Sequence, residues 1–315
     1  MTEKLKVHSP YDGHLIKEID VDDEASIEEA LATAHRLEQK KPLPTPERIA
    51  ILNKTADLVE AKAEEFARQS AEEGGKPLID SQIELARAVQ GIREAANSIG
   101  QLTGHEIPMN LTTSSMNRMA FTTREPVGVV AAVSAFNHPF NLIVHQVIPG
   151  VAVGCPVIVK PALITPLSCL NLVNCLYEAG LPKEWVQVAI CENSLAEKIV
   201  TDPRVSFLTF IGSGKVGWGL RSKLAPGVRC ALEHGGAAPV IVEADADIDD
   251  ALPLLAKGGF YHAGQVCVSV QRVFVHEEIE EEFSRKLADI AGKLVVGDPV
   301  DEKTEVGPLI QEREV

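Results

Sequence analysis

The sequence predicts an α/β protein organised around a doubly wound parallel sheet, and two features of the chain carry that expectation. From Pro126 onward, short fully apolar runs alternate with helical stretches: VGVVAAV from Val127, VIV from Val157, WVQVAI from Trp185, VSFLTFI from Val205, VRCAL from Val228 and PVIV from Pro239. Strands apolar on both faces and separated by helices belong to a parallel sheet covered on both sides. The run VSFLTFI also leads directly into Gly212-Ser213-Gly214-Lys215-Val216-Gly217, a glycine-rich turn where a strand hands over to a helix.

Ahead of the sheet, a short strand-like opening is followed by helices. The first is expected to begin with a capping box at Ser26 and Glu29 and to bury Ile27, Ala30, Leu31, Ala34 and Leu37, which share one face at helical spacing. A second takes Thr45 as N-cap and Pro46 at its first position, runs through Ile49, Leu52, Ala56, Leu58 and Val59, and stops at Gly74-Gly75. A third occupies roughly Leu78 to Leu102. Residues 106–124 then change character: rich in Thr, Ser, Met and Asn without a helical period, they suit an exposed strand pair, an arm able to mediate subunit contacts. After Glu233, residues 245–294 supply a helix, a strand around Val270 to Val275 and an acidic helix.

At 315 residues the chain has room for about two domains. The formal charge of −15 sets up a field that repels phosphate backbones and anionic lipid, so nucleic acid is not expected as a partner. No apolar stretch approaches the roughly 20 residues that span a bilayer, and the opening MTEKLKVHSP lacks the apolar core of a secretory signal, so the expected compartment is the cytoplasm. The six cysteines form no CxxC pair, which leaves neither a zinc site nor a disulfide framework to expect.

Ligands of such sheets bind at the carboxyl ends of strands, so the residues just past each apolar run are the candidates for chemistry. Asn137, in AFNHPFNL, follows the first run and could donate from its amide to an oxyanion, or simply serve a turn. Lys160, at the end of VIVK, is placed to contact ribose or phosphate oxygens, or to be an ordinary solvated cation. Gly212 and Ser213 open a helix whose amides could meet a phosphate. Glu233 lies 21 residues after Gly212, where a simple dinucleotide fingerprint puts a ribose ligand; the glycines behind it equally suit a general base with room for water. Cys267, in GQVCVSVQR, could be a thiolate nucleophile or one more small buried hydrophobe.

Taken together, these segments resemble the NAD(P)-dependent aldehyde dehydrogenase superfamily. Asn137, Lys160, Gly212-Ser213, Glu233 and Cys267 follow the family's order, with 23 residues from Asn137 to Lys160 and 34 from Glu233 to Cys267, and the likeness runs from SPYDG at Ser9 to GPLIQEREV at Gly307. The resemblance implies an aldehyde substrate and NAD or NADP as cofactor. It implies that Cys267 attacks the aldehyde, that Asn137 and the Cys267 backbone N–H hold the oxyanion, and that Glu233 activates the water that releases a carboxylate. Lys160 would contact the adenosine ribose and Gly212 with Ser213 the pyrophosphate, with Phe136, Leu163 and Val216 completing the cofactor site. It further implies an NAD(P)-binding domain over 1–232, with residues 106–124 as an oligomerisation arm of a homo-oligomer, and the first portion of a catalytic domain over 233–315.

Three departures from the family pattern qualify these expectations. Leu163 replaces the acidic residue that in many relatives binds the ribose hydroxyls, which removes a charge that would repel a 2′-phosphate and puts NADP beside NAD. Phe136 and His234 stand where Trp and Leu are more frequent. The chain stops at Val315, short of the region that in relatives contributes a nicotinamide-ribose Glu and an oligomerisation strand. Two alternatives stay open on this reading: a CoA-acylating semialdehyde dehydrogenase, against which Glu233 argues, and an inactive cofactor-binding fragment.

Overall fold

The computed structural model describes residues 4–314. An antiparallel hairpin, β1 (Lys4–His8) and β2 (Leu15–Asp20), leads into helix α1 (Glu24–Glu38), which buries Ile27, Leu31 and Ala34 as the periodicity requires. The cap differs from expectation. Asp23, not Ser26, closes the helix, its carboxylate accepting from the Ser26 amide at 2.8 Å and from the Ser26 hydroxyl at 2.9 Å. Beside the positive end of a helix a carboxylate gains more than a hydroxyl, so Asp23 takes the position.

The helix expected from Thr45 to Gly74 is in fact two, α2 (Thr45–Ala61) and α3 (Ala63–Gly74). The last turn of α2 tightens at Lys62, whose amide is shared between the carbonyls of Leu58 and Val59. The apolar period continues across this break, which is why periodicity alone does not reveal it. Helix α4 (Leu78–Ser98) follows, then the arm, in which β3 (Glu106–Ile107) and β4 (Ala120–Phe121) pair antiparallel.

The main sheet is wholly parallel. Strand β5 (Val129–Val133) is followed by α5 (Asn141–Val153), β6 (Val157–Lys160), α6 (Leu167–Ala179), β7 (Val186–Val188), α7 (Asn193–Thr201), β8 (Val205–Ile211), α8 (Gly214–Arg221) and β9 (Arg229–Glu233), and the strands lie in the order β7-β6-β5-β8-β9. Both faces of its central strands β5 and β6 are buried. Val130 and Ala132 of β5 and Val157 and Val159 of β6 point into a core shared with α2 to α6, whereas Val129, Ala131 and Ile158 point to the other face under α1 and α7. The strand order reverses between β5 and β8, which opens a crevice beyond their carboxyl ends. Gln146 of α5 bridges the two strands there, donating to the carbonyls of Val133 at 3.0 Å and Thr209 at 3.1 Å.

The PVIV run does not join this sheet. Its strand β10 (Val240–Val242) pairs in parallel with β11 (Val273–Val275) across α9 (Ile248–Phe260), and α10 (Glu280–Ala291) packs alongside. After Glu233 the chain leaves the main sheet and builds a second, smaller one, a matter of non-local pairing that apolar composition does not encode. No helix among the described residues is long and apolar enough to cross a membrane.

Two buried glutamates secure the helices that start at the functional edge. Glu73, fully buried at the end of α3, accepts from the amides of Leu167 at 2.9 Å and Ser168 at 2.8 Å and from the Ser168 hydroxyl at 2.5 Å, filling the open N-terminus of α6. Burial pushes its carboxyl up to about 7, outweighing the opposing hydrogen bonds from Ser168 and Leu167. The folded state therefore holds this proton to a higher pH than the unfolded state does. The resulting stabilisation is complete below the ordinary carboxyl value of 4.5 and is lost as pH rises through about 7. Urea unfolding at pH 5 and pH 8 should show the wild-type protein losing roughly 3 kcal/mol more across that interval than Glu73→Gln, which keeps an acceptor but cannot ionise.

Candidate active site

The strands of the main sheet deliver the candidate residues one by one to the same edge. Asn137 lies in the loop after β5, Lys160 is the last residue of β6, Gly212 and Ser213 follow β8, and Glu233 is the last residue of β9. Together with Phe136, Leu163 and Val216 they line one cleft of about 760 Å³, and Cys267 arrives at it from the second sheet, between α9 and β11. All nine residues singled out in the sequence thus face a common space.

At one end of the cleft, the Cys267 sulfur lies 4.0 Å from Oε1 of Glu233, and both groups are accessible to solvent. Gly236 makes this approach possible, since a Cβ there would sit 2.8 Å from the Cys267 carbonyl oxygen. The Asn137 amide donates to the carbonyl of Gln265 at 2.9 Å. An amide carries two N–H bonds, so this contact orients the group and leaves the second N–H free to donate.

Gln265 itself is a hub that the sequence did not announce. Its side-chain amide donates to the carbonyls of His262 at 3.1 Å and Pro308 at 3.3 Å, while its oxygen accepts from the Ile310 amide at 2.9 Å. The segment carrying the thiol is thereby tied to residues 308–310. Just before it, His262 (φ 49°), Ala263 (φ 54°) and Gly264 (φ 77°) form a left-handed turn, two of whose members carry a Cβ. His262 is fully buried with neither ring nitrogen hydrogen-bonded among the described residues, and burial drives it well below the ordinary histidine value.

Lys160, which also lines the cleft, is buried to 7% exposure and no carboxylate among the described residues pairs with it. Burial pushes its ammonium below the ordinary lysine value. A desolvated cation of this kind gains from hydroxyl or anionic oxygens brought beside it. Helix α8 opens onto the cleft with only its own Ser213 hydroxyl as a cap, accepting from the Val216 amide at 3.4 Å. One of its glycines is held to that identity by packing: at Gly217 a Cβ would come within 2.3 Å of His234 Nε2. A cleft lined by an unpaired ammonium, an open helix N-terminus and a thiol fits a dinucleotide bound beside a reactive group.

The profile of the aldehyde dehydrogenase family matches residues 1–315. The chain belongs to that family. Among its relatives, it is 40% identical over 314 residues to 3-sulfolactaldehyde dehydrogenase of Priestia megaterium, covering 99% of this chain and 65% of that protein. It is 36% identical to lactaldehyde dehydrogenase of Methanocaldococcus jannaschii, covering 98% of this chain and 66% of the relative. The chain therefore spans about two thirds of the length of these aldehyde dehydrogenases. Solved structures agree. Glyceraldehyde-3-phosphate dehydrogenase GapN of Methanocaldococcus jannaschii, complexed with NADP, superposes with a TM-score of 0.93 at 35% identity, covering 99% of this chain and 68% of that one. Aldehyde dehydrogenase 21 of Physcomitrella patens, in complex with its product succinate, gives 0.93 at 31%, covering 99% and 65%.

The left-handed turn makes a measurable statement about this site. Replacing alanine by glycine ordinarily destabilises a folded chain by about 0.5–1 kcal/mol, whereas an L-residue in the left-handed region carries about 1–2 kcal/mol of strain. Ala263→Gly should reverse the usual sign and leave the protein as stable as wild type or about 0.5–1 kcal/mol more so, measured by urea denaturation.

Proposed function

We propose that this protein oxidises an aldehyde to a carboxylate with NAD(P)+, and the observation that carries the proposal is the meeting of Asn137, Glu233 and Cys267 at one end of the cleft. In this reading the Cys267 thiolate adds to the aldehyde carbon. The oxygen, gaining charge, is held by the free N–H of Asn137 and by the Cys267 backbone N–H. Bound NAD(P)+ supplies the acceptor for the hydride that leaves the tetrahedral carbon. Glu233, 4.0 Å from the sulfur, then takes a proton from the water that attacks the acyl group left on Cys267, which regenerates the thiol and releases the acid.

Lys160 holds the adenosine ribose and the amides behind Gly212 and Ser213 hold the pyrophosphate, with Phe136 and Val216 as apolar walls. Leu163 presents no carboxylate toward the ribose, so a 2′-phosphate is tolerated and NADP is used beside NAD. Residues 1–232 form the cofactor-binding unit and those from Glu233 the beginning of the catalytic unit. The arm, with Leu111, Met119 and Phe121 at least 70% exposed, joins copies of the chain into a homo-oligomer. The six free cysteines suit a reducing, cytoplasmic setting. Since two relatives are named for sulfolactaldehyde and lactaldehyde, small 2-hydroxyaldehydes are the substrates to try first.

Reduced-cofactor absorbance in the presence of such aldehydes is expected to rise for the wild-type protein and not for Cys267→Ala. Asn137→Ala should lower kcat by about 10² to 10³. Turnover that persists in Cys267→Ala, or that requires added CoA, would count against this mechanism. Leu163→Glu should shift the ratio of kcat/KM for NADP over NAD downward by about tenfold or more, as expected for a carboxylate beside a phosphate; an unchanged ratio refutes the role given to Leu163.

A further inference from the structure

The loop that carries Asn137 rests on an ion pair with almost no contact with water. Lys76 and Glu84 are 1% and 2% exposed, and their charged ends meet beneath residues 137–141. Burying two charges costs several kcal/mol in desolvation, and such pairs are often no more stabilising than apolar groups of the same size. Their contacts indicate another role. Glu84 Oε1 accepts from the amides of Phe140 at 3.0 Å and Asn141 at 2.8 Å, the two donors that open α5. The three N–H bonds of the Lys76 ammonium are matched by three acceptors: the Glu84 carboxylate, His138 Nδ1 at 3.3 Å and the backbone carbonyl of Asn137 at 3.5 Å. His138 can accept because it is neutral, its value pushed down to about 4 by burial and by Lys76 itself. On its far side His138 stacks on Tyr261 at 5.8 Å, adjacent to the strained turn at His262.

We infer that Lys76 and Glu84 are positioning residues that set the Asn137 amide for its work on the oxyanion, through the backbone of residues 137–141. The inference rests on the role proposed above for Asn137. Neither residue lines the cleft, so neither touches substrate or cofactor. Displacing a catalytic group by about an ångström is enough to cost orders of magnitude in rate, and an unanchored loop would allow that.

The test is a double-mutant cycle on the intact enzyme. Lys76→Met combined with Glu84→Gln removes both charges, keeps the volume and leaves an acceptor for the Phe140 and Asn141 amides. It is expected to lower kcat by about tenfold or more, with the cofactor KM within about twofold of wild type, since Lys160, Gly212 and Ser213 stand outside this loop. Added to Asn137→Ala, the same pair of changes should cost less than about twofold further, because a residue acting through Asn137 has nothing to act on once the amide is gone. Losses that multiply, or a cofactor KM that moves with kcat, overturn the inference while leaving the mechanism intact. A wild-type enzyme without aldehyde-dependent hydride transfer overturns both. Should the double variant fail to fold, Lys76→Arg carries the same cycle, since it keeps the charge and alters the donor geometry.

Discussion

Most of the site follows from a parallel sheet whose central strands are buried on both faces. Parallel pairing sends every strand's carboxyl end to the same edge, and burial of both faces fixes which residues can leave the core there. Asn137, Lys160, Gly212 and Glu233 all stand within a few residues of such an end, so four points scattered over about a hundred residues of chain converge without any loop having to seek the site. The reversal of strand order between β5 and β8 supplies the space between them, and Gln146 closes its floor.

The same geometry creates an electrostatic problem that the molecule treats unevenly. Helices returning from a parallel sheet begin at the functional edge, and each presents unsatisfied amides there. Those of α5 and α6 are met by carboxylates reaching in from neighbouring helices, Glu84 and Glu73. That of α8 receives only a long contact from its own Ser213. Filled N-termini make rigid walls; the open one keeps its positive end toward the cleft that the unpaired Lys160 also lines. The strained turn at His262 to Gly264, the Gln265 hub and the Gly236 approach hold the thiol against this scaffold from the second sheet.

Much of this was legible in residue order. The apolar runs gave away the strands because two-sided burial leaves no polar face to confuse the pattern, and the residues singled out after those runs line one cleft. Legibility failed where an outcome depended on competition between neighbours: Asp23 displacing Ser26 as cap, the tightening at Lys62, and the departure of PVIV into a second sheet. Residue order was silent on the parts played by Lys76, Glu84, His138 and Gln265, whose partners lie elsewhere in the chain. A buried ion pair has no sequence signature, since each charge is tolerated only by a partner that the chain elsewhere provides.

By itself, then, the order of residues determined the sheet class and the edge at which most candidate residues gather, because apolar periodicity and strand-end position are local properties; the grouping of Asn137, Glu233 and Cys267 into one candidate site came from the family resemblance. Only the tertiary structure decided that the thiol stands 4.0 Å from the carboxylate and that a buried lysine and glutamate hold the loop of the amide. Those facts rest on distances between segments dozens to well over a hundred residues apart, and such distances are settled by how whole layers pack, a free energy shared over the entire core rather than written at any one position.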